Sequence, residues 1–155
     1  MSSGTYSKIY IQLVFAVKGR KSLISSEWEE EVYKYITGII TRQGQKLIIM
    51  NGVSDHVHIF IGIKPSCRLS DLVREIKKSS SAFIKEKKFT PFKFEWQEGY
   101  GAFSYSHSAI DQVCKYIENQ KGHHKKITFK EEYISLLQKF SIDFDQKYVF
   151  EFKDD

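Results

Sequence analysis

The run KLIIMNGVSDHVHIFIGI, residues 46 to 63, sets the tightest limit on what this chain can become. Two stretches of apolar, largely β-branched side chains flank a short polar segment at residues 51 to 55, the pattern of two antiparallel strands joined by a tight turn. Successive side chains of a strand face opposite ways, so His56 and His58 share one face while Val57, Ile59, Ile61 and Ile63 share the other. One face is core and the other presents a pair of imidazoles. Two imidazoles at i and i+2 of a strand can grip one divalent metal if a third ligand arrives from elsewhere. Without that third ligand they are two histidines on a solvated sheet face.

The rest of the chain supplies elements to surround this hairpin. Residues 6 to 17, YSKIYIQLVFAV, are rich in aromatic and β-branched side chains and predict a first strand, closed by Gly19. Trp28, Val32, Tyr35, Ile36 and Ile39 then recur at helical spacing behind a serine cap and an acidic first turn. After Pro65, the segment LSDLVREIKKSSSAFIKEK predicts a second helix with Ser70 as its cap. PFKFEWQEGYGAFSYS alternates aromatic and polar residues around Gly99 and Gly101 and predicts a strand pair or one irregular strand. A third helix follows, from Ser106 or Ser108 to Gly122, and FKEEYISLLQKFSI predicts a fourth. Strand, helix, strand, strand, helix, strand, with helices appended, is the order of a ferredoxin-like α+β fold: an antiparallel sheet with helices packed on it.

With 155 residues and no repeat or Pro/Gly linker, the expectation is one domain over residues 1 to 155. The apolar stretch from Ile9 to Val17 is too short to span a membrane and lacks the flanks of a signal peptide. Cys67 and Cys114 are too few for a disulfide framework or zinc ribbon, so a reducing cytoplasm is the expected location. Charge is uneven. Residues 68 to 88 carry seven basic and three acidic side chains, residues 115 to 130 five and one, and residues 131 to 155 three and seven. Two basic segments point to a polyanion partner. Candidate phosphate contacts are Arg74, Lys77, Lys78, Lys121, Lys125 and Lys126, with Lys18, Arg20 and Lys21 extending the track.

On the third helix, Tyr116 and Gln120 are four residues apart and so share a face, with His123 and His124 about one turn further on. DHVHIF, followed by YGAFSYS and then KYIENQKGHHKK, resembles the single-tyrosine HUH transposases of small bacterial insertion sequences, the TnpA type and its repeat-associated relatives. HUH denotes histidine, hydrophobic, histidine, here His56, Val57 and His58. The resemblance runs from the first strand through the third helix. It implies that His56, His58 and Gln120 hold Mg²⁺ or Mn²⁺ and that Tyr116 is the nucleophile. His123 and His124 are expected on the surface, at a frayed helix end.

What the resemblance implies is an enzyme in which Tyr116 attacks a phosphodiester of single-stranded DNA, leaving a 5′-phosphotyrosine and a free 3′ hydroxyl. The ester conserves the bond energy, so rejoining needs no nucleotide cofactor, and the chain has no Gly-rich phosphate loop. A cation on two neutral imidazoles and an amide keeps its full charge and open positions from which to polarise the phosphate. Implied partners are hairpin-ended DNA and a second copy of the chain, in a homodimer whose tyrosine helix can serve the partner's site. Two other readings compete. One is a zinc-dependent hydrolase or nuclease built on His56, His58 and His123 or His124, with no covalent intermediate. The other is a non-catalytic DNA-binding module.

Overall fold

A computed structural model of the chain describes residues 4–19 and 22–145. Arg20, Lys21 and the end of the acidic tail, residues 146 to 155, lie outside it. Four strands and five α-helices are described: β1 Ile9–Ala16, α1 Glu29–Arg42, β2 Lys46–Val53, β3 His56–Ile63, α2 Leu69–Lys87, β4 Gly101–Tyr105, α3 Ile110–Glu118, α4 Gln120–His123 and α5 Phe129–Lys139. They form one antiparallel sheet in the order β2-β3-β1-β4. This is the expected ferredoxin-like arrangement, in which the β2–β3 hairpin is completed by β1 at the centre.

One face of the sheet packs on α1 and α2. Leu13, Phe15, Val57, Ile59 and Ile61 meet Val32, Ile36, Leu72, Ile76 and Ile84 in the larger core. The histidine face is not solvated. It is covered by two smaller apolar clusters, one of Val14, Ala16 and Phe103 against Phe129, Leu136 and Leu137, the other of Phe60 against Val113 and Ile117. Helices beyond the first βαββαβ unit therefore roof the imidazole pair, and both histidines are fully buried. Hydrophobic burial on either side brings polar groups into the seam between those clusters.

Several local expectations are corrected. The first strand starts at Ile9 rather than residue 6. Neither α1 nor α2 has a serine cap: their N-caps are Trp28 and Arg68, and Ser70 lies inside α2. The segment before α3 yields only the short β4 and one isolated bridge, Val17 to Trp96. The third helix opens with a 3-10 turn at His107–Ala109 and breaks at Asn119, so Gly122 sits within α4 instead of ending a continuous helix. That break is anchored. Asn51 Nδ2 donates to the carbonyls of Ile117 and Glu118 at 3.0 and 3.1 Å, tying the open end of α3 to β2.

Gly52 is required where it stands. A Cβ there would lie 2.3 Å from the carbonyl oxygen of His56, so the hairpin can close at this spacing only without a side chain.

Candidate active site

Period-two alternation along β3 sends His56 and His58 to the same face, next to Gln12 of β1 and beneath α3, α4 and α5. Their rings lie edge to face with centroids 5.0 Å apart. Each ring is fixed from behind. His56 Nδ1 is 2.7 Å from Asp55 Oδ1, and an ionised carboxylate can only accept, so this nitrogen carries the proton. His58 Nδ1 donates to Gln12 Oε1 at 2.6 Å, and Gln12 is itself oriented by donating to the Tyr105 hydroxyl at 2.9 Å. A third imidazole joins them, because His124 Nδ1 donates to the carbonyl of Ile127 at 3.0 Å. All three Nε2 atoms consequently face inward.

They face a carboxylate. Glu132 of α5 is 2% exposed, and its Oε1 lies 3.2 Å from His56 Nε2, 3.0 Å from His58 Nε2 and 2.9 Å from His124 Nε2. Its Oε2 accepts from Gln120 Nε2 at 2.8 Å and from the Tyr116 hydroxyl. Gln120 closes the ring, with Oε1 3.1 Å from His56 Nε2. Ligand atoms of His56, His58, His124 and Glu132 lie within 4.8 Å of one another. Three imidazole lone pairs directed at an anion repel unless a proton or cation sits among them, so the donor set fits a divalent metal.

The titration of these groups reflects the same crowding. Burial alone would push His56 down, but hydrogen bonds to Asp55 and Glu132 outweigh it and raise its pKa above the ordinary value. His58 is lowered to about 4 by burial, which the attraction of Glu132 only partly offsets, with His56 and His124 adding repulsion. Burial would raise Glu132, yet its contacts with His56 and His58, whose charged forms would donate to it, hold it well below the usual carboxylate range. Tyr116 is raised by burial and then by its contact with Glu132, so the resting phenol is neutral. Its ring stands edge-on to His58, centroids 5.8 Å apart.

The structure therefore brings together His56, His58, Tyr116 and Gln120, all four residues anticipated for the chemistry. It corrects the view of His124, whose side chain is 8% exposed and inside the cluster, whereas His123 stays at the rim with 34%. Glu132, Gln12 and Asp55 were not anticipated. Gln12 did leave a trace: a lone amide in an otherwise apolar strand predicts a buried polar partner. Glu132 left none, since acidic residues in a first helical turn are ordinary.

The basic candidates divide between two sides of the sheet. Arg74, Lys77 and Lys78 line a groove of about 870 Å³ between α2 and residues 93 to 100, together with Lys18, Trp96 and Tyr100. Lys77 is already engaged, donating to the carbonyls of Gln97 and Gly99 at 2.8 and 2.5 Å, and burial lowers its pKa to about 8. Lys121 is engaged too, between Glu29 Oε1 at 2.9 Å, Asn51 Oδ1 at 2.9 Å and the Gly52 carbonyl at 3.1 Å. Lys125 and Lys126 remain exposed beside His124, on a groove of about 450 Å³ that borders the imidazole cluster. Among the described residues, no helix is long and apolar enough to cross a membrane.

Comparison with known proteins bears on the family and the fold. The chain is similar to the ISDra2 transposase TnpA of Deinococcus radiodurans, 25% identical over 122 residues that cover 76% of this chain and 87% of that protein. A crystal structure of a protein from Deinococcus radiodurans R1, described as a transposase, superposes with a TM-score of 0.60 at 25% identity, over 77% of this chain and 96% of that one. A REP-associated tyrosine transposase bound to a REP hairpin shares the fold at 13% identity, with a TM-score of 0.61 over 100% of this chain and 95% of that one. The family model described as "Transposase IS200 like" matches residues 5–120, ending at Gln120 and short of both His124 and Glu132. With that match across the sheet, the histidine pair and the tyrosine helix, the chain belongs to the IS200-like transposase family.

Proposed function

We propose that the protein is a single-tyrosine transposase that cleaves and rejoins single-stranded DNA through a covalent link to Tyr116. One observation carries the reading: the Tyr116 hydroxyl and the inward nitrogens of His56 and His58 meet on the same buried carboxylate. A phenol alone is a poor nucleophile, with an ordinary pKa of about 10, and gains from being held at a site built for cationic charge. Tyr116 Oη would form a bond to phosphorus as the bond from phosphorus to the 3′ oxygen breaks, giving a 5′-phosphotyrosine and a 3′ hydroxyl. Rejoining reverses the exchange and consumes no nucleotide.

His56, His58, Gln120, His124 and Glu132 are the residues that would hold the divalent ion, which when bound supplies positive charge to the phosphate and to the departing oxygen. A nitrogen-rich set suits Mn²⁺ better than Mg²⁺, which prefers oxygen ligands. Arg74, Lys78, Lys125 and Lys126 are available for phosphate contacts, with Trp96 and Tyr100 beside the larger groove, so binding of hairpin-ended DNA should weaken steeply with salt. A homodimer stays part of this proposal.

The test uses 3′-labelled single-stranded DNA from the sequence flanking the gene, carrying its terminal hairpin. Label should migrate with the protein on a denaturing gel when Mn²⁺ is present, and should not with chelator or in Tyr116→Phe. A second reading, hydrolysis at a zinc centre of His56, His58 and His124, draws on His124 joining the cluster. It requires cutting without adduct and survival of activity in Tyr116→Phe.

A further inference from the structure

Lys121 follows Gln120 on α4, yet its side chain leaves the imidazole cluster and reaches the far side of the sheet. Its Nζ lies 2.9 Å from Glu29 Oε1 of α1, and it donates to Asn51 Oδ1 at 2.9 Å and to the Gly52 carbonyl at 3.1 Å, both on β2. β2 is an edge strand, with α1 packed on one face of the sheet and Gln120 buried on the other, so this ammonium joins the two faces around that edge. We propose that Glu29 is a positioning residue for the metal centre, acting through Lys121 to fix α4 and with it the donor atoms of Gln120 and His124. The inference rests on the reading of the imidazole cluster as a metal site given above.

Glu29 is itself held in place. It opens α1, where the helix dipole favours an anion, and its side chain is only 15% exposed. While Oε1 faces Lys121, Oε2 accepts from the Tyr33 hydroxyl at 3.4 Å. Burial and then Glu29 raise the Tyr33 pKa, so the phenol keeps the proton it donates. Lys121 is equally committed. An ammonium has three N–H donors, and Glu29, Asn51 and Gly52 account for all of them, which leaves none for a phosphate.

The element being held needs an outside tie. α4 runs only from Gln120 to His123 and follows the break at Asn119, and so short a helix cannot fix its own position. Its donors have little latitude, since Gln120 Oε1 sits 3.1 Å from His56 Nε2 and His124 Nε2 sits 2.9 Å from Glu132 Oε1. Groups that orient metal ligands from outside set affinity even though they touch no metal. The Lys121 side chain is half-exposed, and an ion pair so open to water contributes little to stability. The effect of the pair is therefore read in metal binding rather than in melting.

The experiment titrates Mn²⁺ into the DNA-free protein by calorimetry and, separately, follows hairpin-DNA binding as salt is raised. Glu29→Gln keeps the shape of the side chain and removes the charge facing Lys121, while Lys121→Met keeps an apolar stem and removes the donors. Each should weaken Mn²⁺ binding about 10-fold. The double variant should bind no worse than the weaker single one, because both cut the same link. Neither should change the salt dependence of DNA binding, whose slope falls by about one when a phosphate contact is lost. Lys34→Met removes an exposed pair on the same helix, to Glu30 at 3.9 Å, and should keep Mn²⁺ affinity within about threefold of the unaltered protein. The proposal is overturned if Glu29→Gln also stays within about threefold, if Lys121→Met lowers the salt slope, or if Lys34→Met weakens Mn²⁺ as much as Glu29→Gln. Should Lys121→Met fail to fold, the isosteric Glu29→Gln decides alone. An unaltered protein that binds no Mn²⁺ would instead defeat the underlying reading, and that is seen before any variant is made.

Discussion

Three acceptors that never reach the centre of the site decide what the imidazoles do there. Asp55, Gln12 and the Ile127 carbonyl each take an Nδ1 proton and leave an Nε2 lone pair pointing inward. Replacing Gln12 by Leu should free the His58 ring to turn and lower Mn²⁺ affinity about 10- to 100-fold, measured by titration calorimetry, with the fold retained. An unchanged affinity would mean that packing alone orients His58. At this scale the sequence was legible where chemistry follows periodicity: His56 and His58 by alternation along a strand, Tyr116 and Gln120 by the helical turn. Glu132 was not legible, because it neighbours Glu131 in KEEY and only the rotation of α5 decides that Glu132 turns inward while Glu131 caps.

The elements were read more faithfully than their ends. Strand and helix order follow from hydrophobic periods of two and 3.6, which the large core on α1 and α2 reinforces. Serine caps failed for a physical reason: capping contributes only about 1 kcal/mol, and where α1 and α2 begin is fixed by Trp28, Val32, Leu72 and Val73 entering the core. The break at Asn119 was invisible because its cause is distant, the Asn51 side chain reaching across from β2. Gly52 carries the matching prediction. Gly52→Ala must push β2 away from the His56 carbonyl, which should cost about 1–3 kcal/mol in urea unfolding and weaken Mn²⁺ binding in the same protein. Loss of stability with metal affinity intact would show that the hairpin yields elsewhere.

Taken whole, the molecule is a sheet with two covered faces, one largely apolar and one with a charged cluster buried in it. The sequence predicted the first and put an imidazole pair on the second without showing what covers it, since amphipathic helices do not announce which face of a sheet they will cover. Burying that cluster links metal-free stability to pH. His58, lowered to about 4, refuses a proton that the unfolded chain accepts below about 6.5, so its contribution falls as pH drops through that window. Glu132, lowered as well, contributes above the unfolded carboxylate value of about 4.3 and is lost below it. His56, raised, works the other way: its contribution is present below about 6.5 and fades as pH rises through its folded value. Asp55→Asn removes the strongest support for a charged His56. In chelator, its melting temperature should fall further between pH 7.5 and 5 than that of the unaltered protein. Equal falls would count against this linkage.

The donors of this centre are spread from Gln12 to Glu132, and the last of them belongs to a helix made after the histidines and the tyrosine. On the ribosome, a growing chain would expose its strands and its phenol while the carboxylate is still untranslated. Competence to cut would thus arrive late in synthesis, after the polypeptide is long enough to close over its own chemistry, and a nascent fragment near single-stranded nucleic acid would be inert toward it.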